Sequence, residues 1–216
     1  VFELDEYWNE YFKVTPIYHF PNGPVLNDLL NHFERIRNWI ETFEYIGPLH
    51  ESPTFNENDV VEYLKKLYMS IEYIRSNQVQ WPITSNQIIT GKATFVYAGV
   101  MYPEFEKSNE WLQFGMNGLE QIILTDIFND GCHNERVPNY HAVTVGSLLN
   151  PYKLANLNGI SFSPAYTQRA KLSLDYIKYL IHPDYTYVPA IGDTSIQDGL
   201  SFWLPDGYTL FNDETF

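Results

Sequence analysis

The 216-residue chain carries 27 acidic against 13 basic residues, a formal net charge of -14, and it is 44% hydrophobic and 17% aromatic. That apolar content suffices for a substantial packed core, while the shortage of Lys and Arg excludes a nucleic-acid binder, since phosphate recognition relies on clustered cations. It also weighs against an anionic ligand unless Arg, His and amide donors gather locally in a cleft.

The first predicted helix runs from about Pro24 to Tyr45, with Leu26, Leu29, Leu30, Phe33, Ile36, Ile40 and Phe43 at helical spacing and Gly47-Pro48 beyond its end. Asn58 or Asp59 caps a second, in which Val60, Leu64, Leu67, Tyr68, Ile71 and Ile74 form one apolar stripe ending near Ser76. After Trp81-Pro82, Thr84 or Ser85 caps a third helix, which stops at Tyr102-Pro103. A fourth is expected from about Glu104 to Thr125. Asp130 to Pro138 is too rich in polar residues and breakers to be helical and reads as a loop into a fifth helix near Asn139 to Leu149. Ser163-Pro164, a cap followed by Pro at the first helical position, opens a sixth that continues to about Ile181.

Beyond His182 the pattern changes to short aromatic or β-branched pieces between Pro and Gly, such as Tyr208-Thr209-Leu210-Phe211, which read as strands. The fold class is therefore all-α, built of antiparallel helix hairpins as a bundle, a solenoid or a closed ring. Periodicity does not choose among the three.

No apolar stretch approaches the roughly 20 residues that span a bilayer, so no membrane insertion is expected. The chain opens at Val1 without an initiator Met or a basic-then-apolar leader and reads as a processed or trimmed fragment. The single Cys132 forms no intrachain disulfide and reads as a small, semi-buried filler. Seventeen Tyr, fourteen Phe and five Trp exceed the needs of a core, and such rings suit the apolar faces and hydroxyl rims of sugars, although any single ring is more readily a packing residue between helices.

The densest chemical signal is Asp130-Gly131-Cys132-His133-Asn134-Glu135-Arg136-Val137-Pro138-Asn139-Tyr140-His141. Arg and His can neutralise a substrate carboxylate, and Tyr and His can move protons. The plainer readings are a turn at Asp130-Gly131, a loop-shaping ion pair between Glu135 and Arg136, and structural roles for His133 and His141. His133, Glu135 and His141 lack the two-His helical zinc spacing, so no metal and no cofactor is expected.

This run resembles the heparinase II/III-like polysaccharide lyases in Asp130-Gly131, His133, Glu135-Arg136, Pro138 and Tyr140-His141. Other pieces fall in the same order: Trp39-Ile40, Asn86, Pro103-Glu104-Phe105 with Trp111, and Ile191-Gly192-Asp193. The resemblance implies an incomplete α/α toroid over residues 1–200, with 201–216 as linker and first strand of a β-sandwich domain. It implies β-elimination at a uronic acid, with an acidic polysaccharide or oligosaccharide as partner and a secreted or periplasmic location. Asn86, Arg136 and a histidine, His141, are then the groups that hold the uronate carboxylate, and Tyr140 the proton shuttle. His133, Gln87, Glu135 and Trp81 are substrate-binding candidates. The family often has His or an aromatic after the Asn, where this chain has Gln87. Two other readings stand: a carbohydrate-binding protein without turnover, and a glycoside hydrolase using Asp130, Glu135 or Asp193 in a facing pair. Oligomeric state is left open.

Overall fold

The computed structural model describes residues 26–45, 56–76, 86–183, 187–194 and 203–216. It divides into two compact units, Val1–Trp81 and Pro82–Phe216. Seven helices are described, and an isolated antiparallel bridge pairs Ile127 with His133. None of these helices is long and apolar enough to cross a membrane.

The first unit holds α1 (Leu26–Tyr45) and α2 (Glu57–Ser76). Phe33, Ile36 and Ile40 of α1 and Leu67, Ile71 and Ile74 of α2 are buried, the faces that helical spacing marks out. Tyr63 adds a ring that stacks on Phe43 at 4.3 Å and a hydroxyl that donates to the Trp39 carbonyl at 3.0 Å. The α2 cap lies two residues earlier than its first expected position. Asn56 Oδ1 accepts from the Asn58 N–H, and Asp59 Oδ2 accepts from the Asn56 N–H, a reciprocal capping box.

The second unit comprises α3 (Asn86–Met101), α4 (Ser108–Asp126), α5 (Pro138–Leu157), α6 (Pro164–Leu180) and α7 (Leu204–Phe211). Its core takes Ile89 and Val96 from α3, Leu119 and Ile123 from α4, Val145 and Leu148 from α5, and Tyr166 and Leu174 from α6, all without exposed surface. Each such side chain contributes about 1.5–3 kcal/mol of burial. Helices α3 and α4 approach so closely that a Cβ at Gly99 would lie 2.6 Å from the Leu112 nitrogen and the Ser108 oxygen. A β-carbon there would push the pair apart.

Three boundaries depart from the sequence reading. Helix α4 starts at Ser108, because residues 103–106 form turns closed by Phe105 N–H to Tyr102 O and Ser108 N–H to Phe105 O. Helix α5 runs to Leu157 through Pro151 rather than ending near Leu149, and the buried Leu148, Leu149, Tyr152 and Ala155 offset the hydrogen bond that Pro151 does not donate. Residues 204–211, expected to begin a strand, are helical: Pro205 sits in the first turn, Asp206 accepts from Lys153 at 2.7 Å, and Gly207 lies against the Phe216 ring. The Ser163 cap of α6 is as read, its hydroxyl accepting from the Tyr166 N–H at 3.1 Å behind Pro164. Trp81, Thr84 and Ser85 lie outside the described residues.

Candidate active site

The run from Asp130 to His141 leaves the C-terminus of α4 as a tight hairpin and enters α5. Phe128 donates to Cys132 O at 2.8 Å, Asn134 donates to Asp126 O at 2.8 Å, and Gly131 donates to Phe128 O at 3.0 Å. Gly131 has φ 89°, and a Cβ there would stand 2.0 Å from the Leu172 carbonyl oxygen, so the tip requires glycine. Asp130 Oδ1 accepts from the Cys132 N–H at 3.0 Å, and Arg169 Nη1 donates to Ile127 O and Asn129 Oδ1 at 3.0 and 2.9 Å. Asp130-Gly131 is thus the turn that its composition indicates.

Arg136 follows with φ 56°, a left-handed conformation at a non-glycine residue that costs on the order of 1 kcal/mol. Its guanidinium is exposed and lies 5.6 Å from the Phe128 ring centroid. No ion pair joins it to Glu135, which corrects the expected pairing. Glu135 turns instead to α3: its carboxylate accepts from the Asn86 backbone N–H at 3.1 Å and from Asn86 Nδ2 at 2.8 Å. One carboxylate therefore caps α3 and fixes which face the Asn86 amide presents. Gln87 is half-buried, and its Oε1 is buried without a hydrogen bond.

The two histidines are both buried. His141 Nδ1 accepts from the His133 N–H at 3.2 Å, and Nε2 lies 2.9 Å from the Ser173 carbonyl oxygen, which assigns the neutral tautomer protonated at Nε2. Burial lowers its pKa to about 4, opposed by the Ser173 hydrogen bond. His141 is 1% exposed with both nitrogens engaged, so here it pins the loop to α6 and presents no group to solvent. His133 is fully buried, and neither ring nitrogen has a hydrogen-bond partner. Desolvation lowers its pKa, and the charges of Glu135 and Asp126 oppose that.

Tyr140 differs from both. It is only partly covered and lies in the first turn of α5, where its hydroxyl donates to Asp193 Oδ2 at 3.2 Å. The hydrogen bond to Asp193 and that carboxylate's charge raise the phenol pKa above its ordinary value, with smaller contributions from burial and from Glu135. The turn that carries Asp193 is docked on α5, since Thr194 Oγ1 accepts from the Asn139 N–H at 3.3 Å and Gly192 (φ 62°) faces Val137. The structure thus joins Asn86 to Glu135 and Tyr140 to Asp193, at the N-termini of α3 and α5. It keeps His133 and His141 beneath the surface. The sequence names Asp193 only as a spare carboxylate and as part of Ile191-Gly192-Asp193. Nothing in the spacing pairs it with Tyr140. Among the described residues, no three His, Cys, Asp or Glu side chains are grouped to hold a metal ion.

A family model described as Heparinase II/III N-terminus matches residues 29–213. The chain belongs to this family. The heparin-sulfate lyase of Pedobacter heparinus is 27% identical over 150 residues, covering 68% of this chain and 22% of that protein. The heparin-sulfate lyase of Bacteroides thetaiotaomicron is 23% identical over 154 residues, covering 70% and 21%. In structure, Heparinase III is similar with a TM-score of 0.79 at 20% identity, over 96% of this chain and 32% of that one. The heparan sulfate lyase HepC from Pedobacter heparinus follows with a TM-score of 0.70 at 22% identity, over 96% and 33%. These likenesses give the heparinase II/III chain its fold class, the α/α toroid of helix hairpins found in the N-terminal domain of heparinase III. The chain spans about a fifth of the length of the curated relatives it matches.

Proposed function

We propose that this chain is the helical part of a polysaccharide lyase that cleaves an acidic, uronate-containing polysaccharide by β-elimination, and that Tyr140 is its proton donor. The observation that carries the reading is the exposed Tyr140 hydroxyl on Asp193, within the field of the same Glu135 carboxylate that fixes the Asn86 amide at the α3 N-terminus. Family membership and relatives named heparin-sulfate lyases support the reaction class.

In the elimination, the proton at C5 goes to a base, the C4–O4 bond breaks as the C4=C5 double bond forms, and the departing oxygen takes a proton. A proton beside a carboxylate is only weakly acidic until that carboxylate's charge is offset. The second Nδ2 hydrogen of Asn86, the one Glu135 does not take, and the exposed Arg136 guanidinium are suited to that task. Tyr140 is suited to protonate the departing oxygen, because its surroundings favour the neutral phenol. The same preference makes the resting phenol a poor base. His141 and His133 are assigned to holding the loop, since both are buried.

The test uses the complete gene product on a panel of uronate polymers, read by the ultraviolet absorbance of unsaturated products. Tyr140→Phe is expected to lower kcat by at least a hundredfold. Wild-type rates in that variant would overturn the Tyr140 assignment, and new reducing ends without a double bond would favour hydrolysis.

A further inference from the structure

We propose that Asp193 is the positioning residue for Tyr140: its carboxylate accepts the phenol O–H and holds the ring and its hydroxyl in one orientation at the start of α5 until the proton is given up. The role rests on the lyase reading above, whereas the contact itself does not.

Asp193 is built for this by its support. Its turn is tied to α5 one residue from Tyr140, through the Asn139 N–H to Thr194 Oγ1, and Gly192 at φ 62° brings the backbone against Val137. Acceptor and donor are therefore mounted on the same helix start, across 53 residues of sequence. A tyrosine on a helix surface otherwise has a freely rotating hydroxyl, and a reacting oxygen must meet its donor within hydrogen-bond reach. Holding the phenol on an anion removes that freedom. Two charged groups act on it, Asp193 from the turn and Glu135 from the loop, and both disfavour the phenolate. When a glycosidic oxygen comes within reach, the hydroxyl exchanges acceptors, passes its proton to that oxygen as the C4–O4 bond breaks, and is left as a phenolate that solvent reprotonates.

Two variants separate the functions of the side chain. Asp193→Asn keeps an acceptor oxygen and removes the charge, while Asp193→Ala removes both. Asp193 is exposed in a surface turn, so neither replacement disturbs buried packing. The first measurement is the phenol titration by NMR with Cζ-labelled tyrosine in the complete gene product, the Tyr140 signal being the one lost in Tyr140→Phe. It is expected to titrate above about 10 in the unaltered protein and lower in both variants. A titration that does not move overturns the proposal.

The second measurement is kcat and KM against pH on a uronate polymer. Asp193→Ala is expected to lower kcat roughly ten- to a hundredfold with KM within about twofold, and Asp193→Asn to retain more of kcat. A general acid is lost as pH rises through its pKa, so the alkaline limb moves to lower pH in both variants. Equal losses in the two with an unmoved limb would show a merely structural residue and overturn the proposal. No unsaturated product from the unaltered protein would overturn the lyase reading, and with it the catalytic role. The phenol titration would then still decide the contact.

Discussion

Acidification from pH 7 to pH 5 should destabilise the Pro82–Phe216 unit through His141. The folded imidazole is neutral, buried and bonded at both nitrogens, with a pKa lowered to about 4 against 6.5 for the free side chain. The unfolded chain therefore takes up a proton below pH 6.5 that the folded chain refuses until pH 4. Stability is full above pH 6.5, falls across that window and is lost below it. At about 1.36 kcal/mol per tenfold change in proton affinity, the whole effect is about 3 kcal/mol, of which about 2 kcal/mol is reached by pH 5. With a urea slope of about 2 kcal/mol per molar, the midpoint should fall by about 1 M. The chain's net charge of -14 acts in the opposite direction, because acid relieves self-repulsion, so the quantity to measure is the difference between wild type and His141→Gln. The variant keeps the repulsion and lacks the titrating ring. Parallel pH dependences of the two midpoints between pH 7 and pH 5 would refute the assignment, as would an NMR signal of His141 that titrates near 6.5.

Gly131→Ala should destabilise the same unit by several kcal/mol, because a β-carbon would lie 2.0 Å from the Leu172 carbonyl oxygen at a φ of 89°; a urea midpoint within error of wild type would refute that reading of the hairpin tip. Glu135→Ala should cost about 1–2 kcal/mol by freeing the α3 N-terminus, and it should raise KM for a uronate polymer more than it lowers kcat. Unchanged stability and unchanged KM would show that the Asn86 amide needs no anchor.

The helices were legible where burial is one-sided. Phe33, Ile36 and Ile40 of α1 recur at helical spacing because one face of that helix is covered, and Ser163-Pro164 announces α6 through backbone chemistry alone. Helix α7 was not legible, since its eight residues include Pro, Gly and a β-branched Thr, and it is held by Asp206 on Lys153 and Gly207 under Phe216, contacts that local periodicity does not encode. The end of α5 was misplaced for a similar reason: the packing of Tyr152 and Ala155 carries the helix through Pro151. In the site, the density of reactive residues from Asp130 to His141 was legible. The links from Asn86 to Glu135 and from Tyr140 to Asp193, across 49 and 53 residues, were not, because spacing says nothing about which helix ends meet. Burial then divided the residues of the run between surface and interior.

The pairing of Glu135 with Asn86 also bears on how a chain this acidic presents a site to an anion. An asparagine amide offers a carboxylate either its NH2 group, which attracts, or its oxygen, which repels, and the two differ only by a half-turn of the side chain. Ionised Glu135 accepts and does not donate, so it bonds Nδ2 and rejects Oδ1, which fixes the half-turn. Its charge is spent against the Asn86 N–H at the α3 N-terminus, where a helix carries partial positive charge, so the anchor adds less repulsion than a free carboxylate would. Its remaining field falls on Tyr140 and acts in the same direction as Asp193, holding the phenol neutral. On the proposed reading, two carboxylates that look misplaced in a site for an anionic sugar thus set an amide's orientation and a phenol's protonation. Both tasks suit an acceptor, and a lysine or arginine at either position would turn the amide over or favour the phenolate.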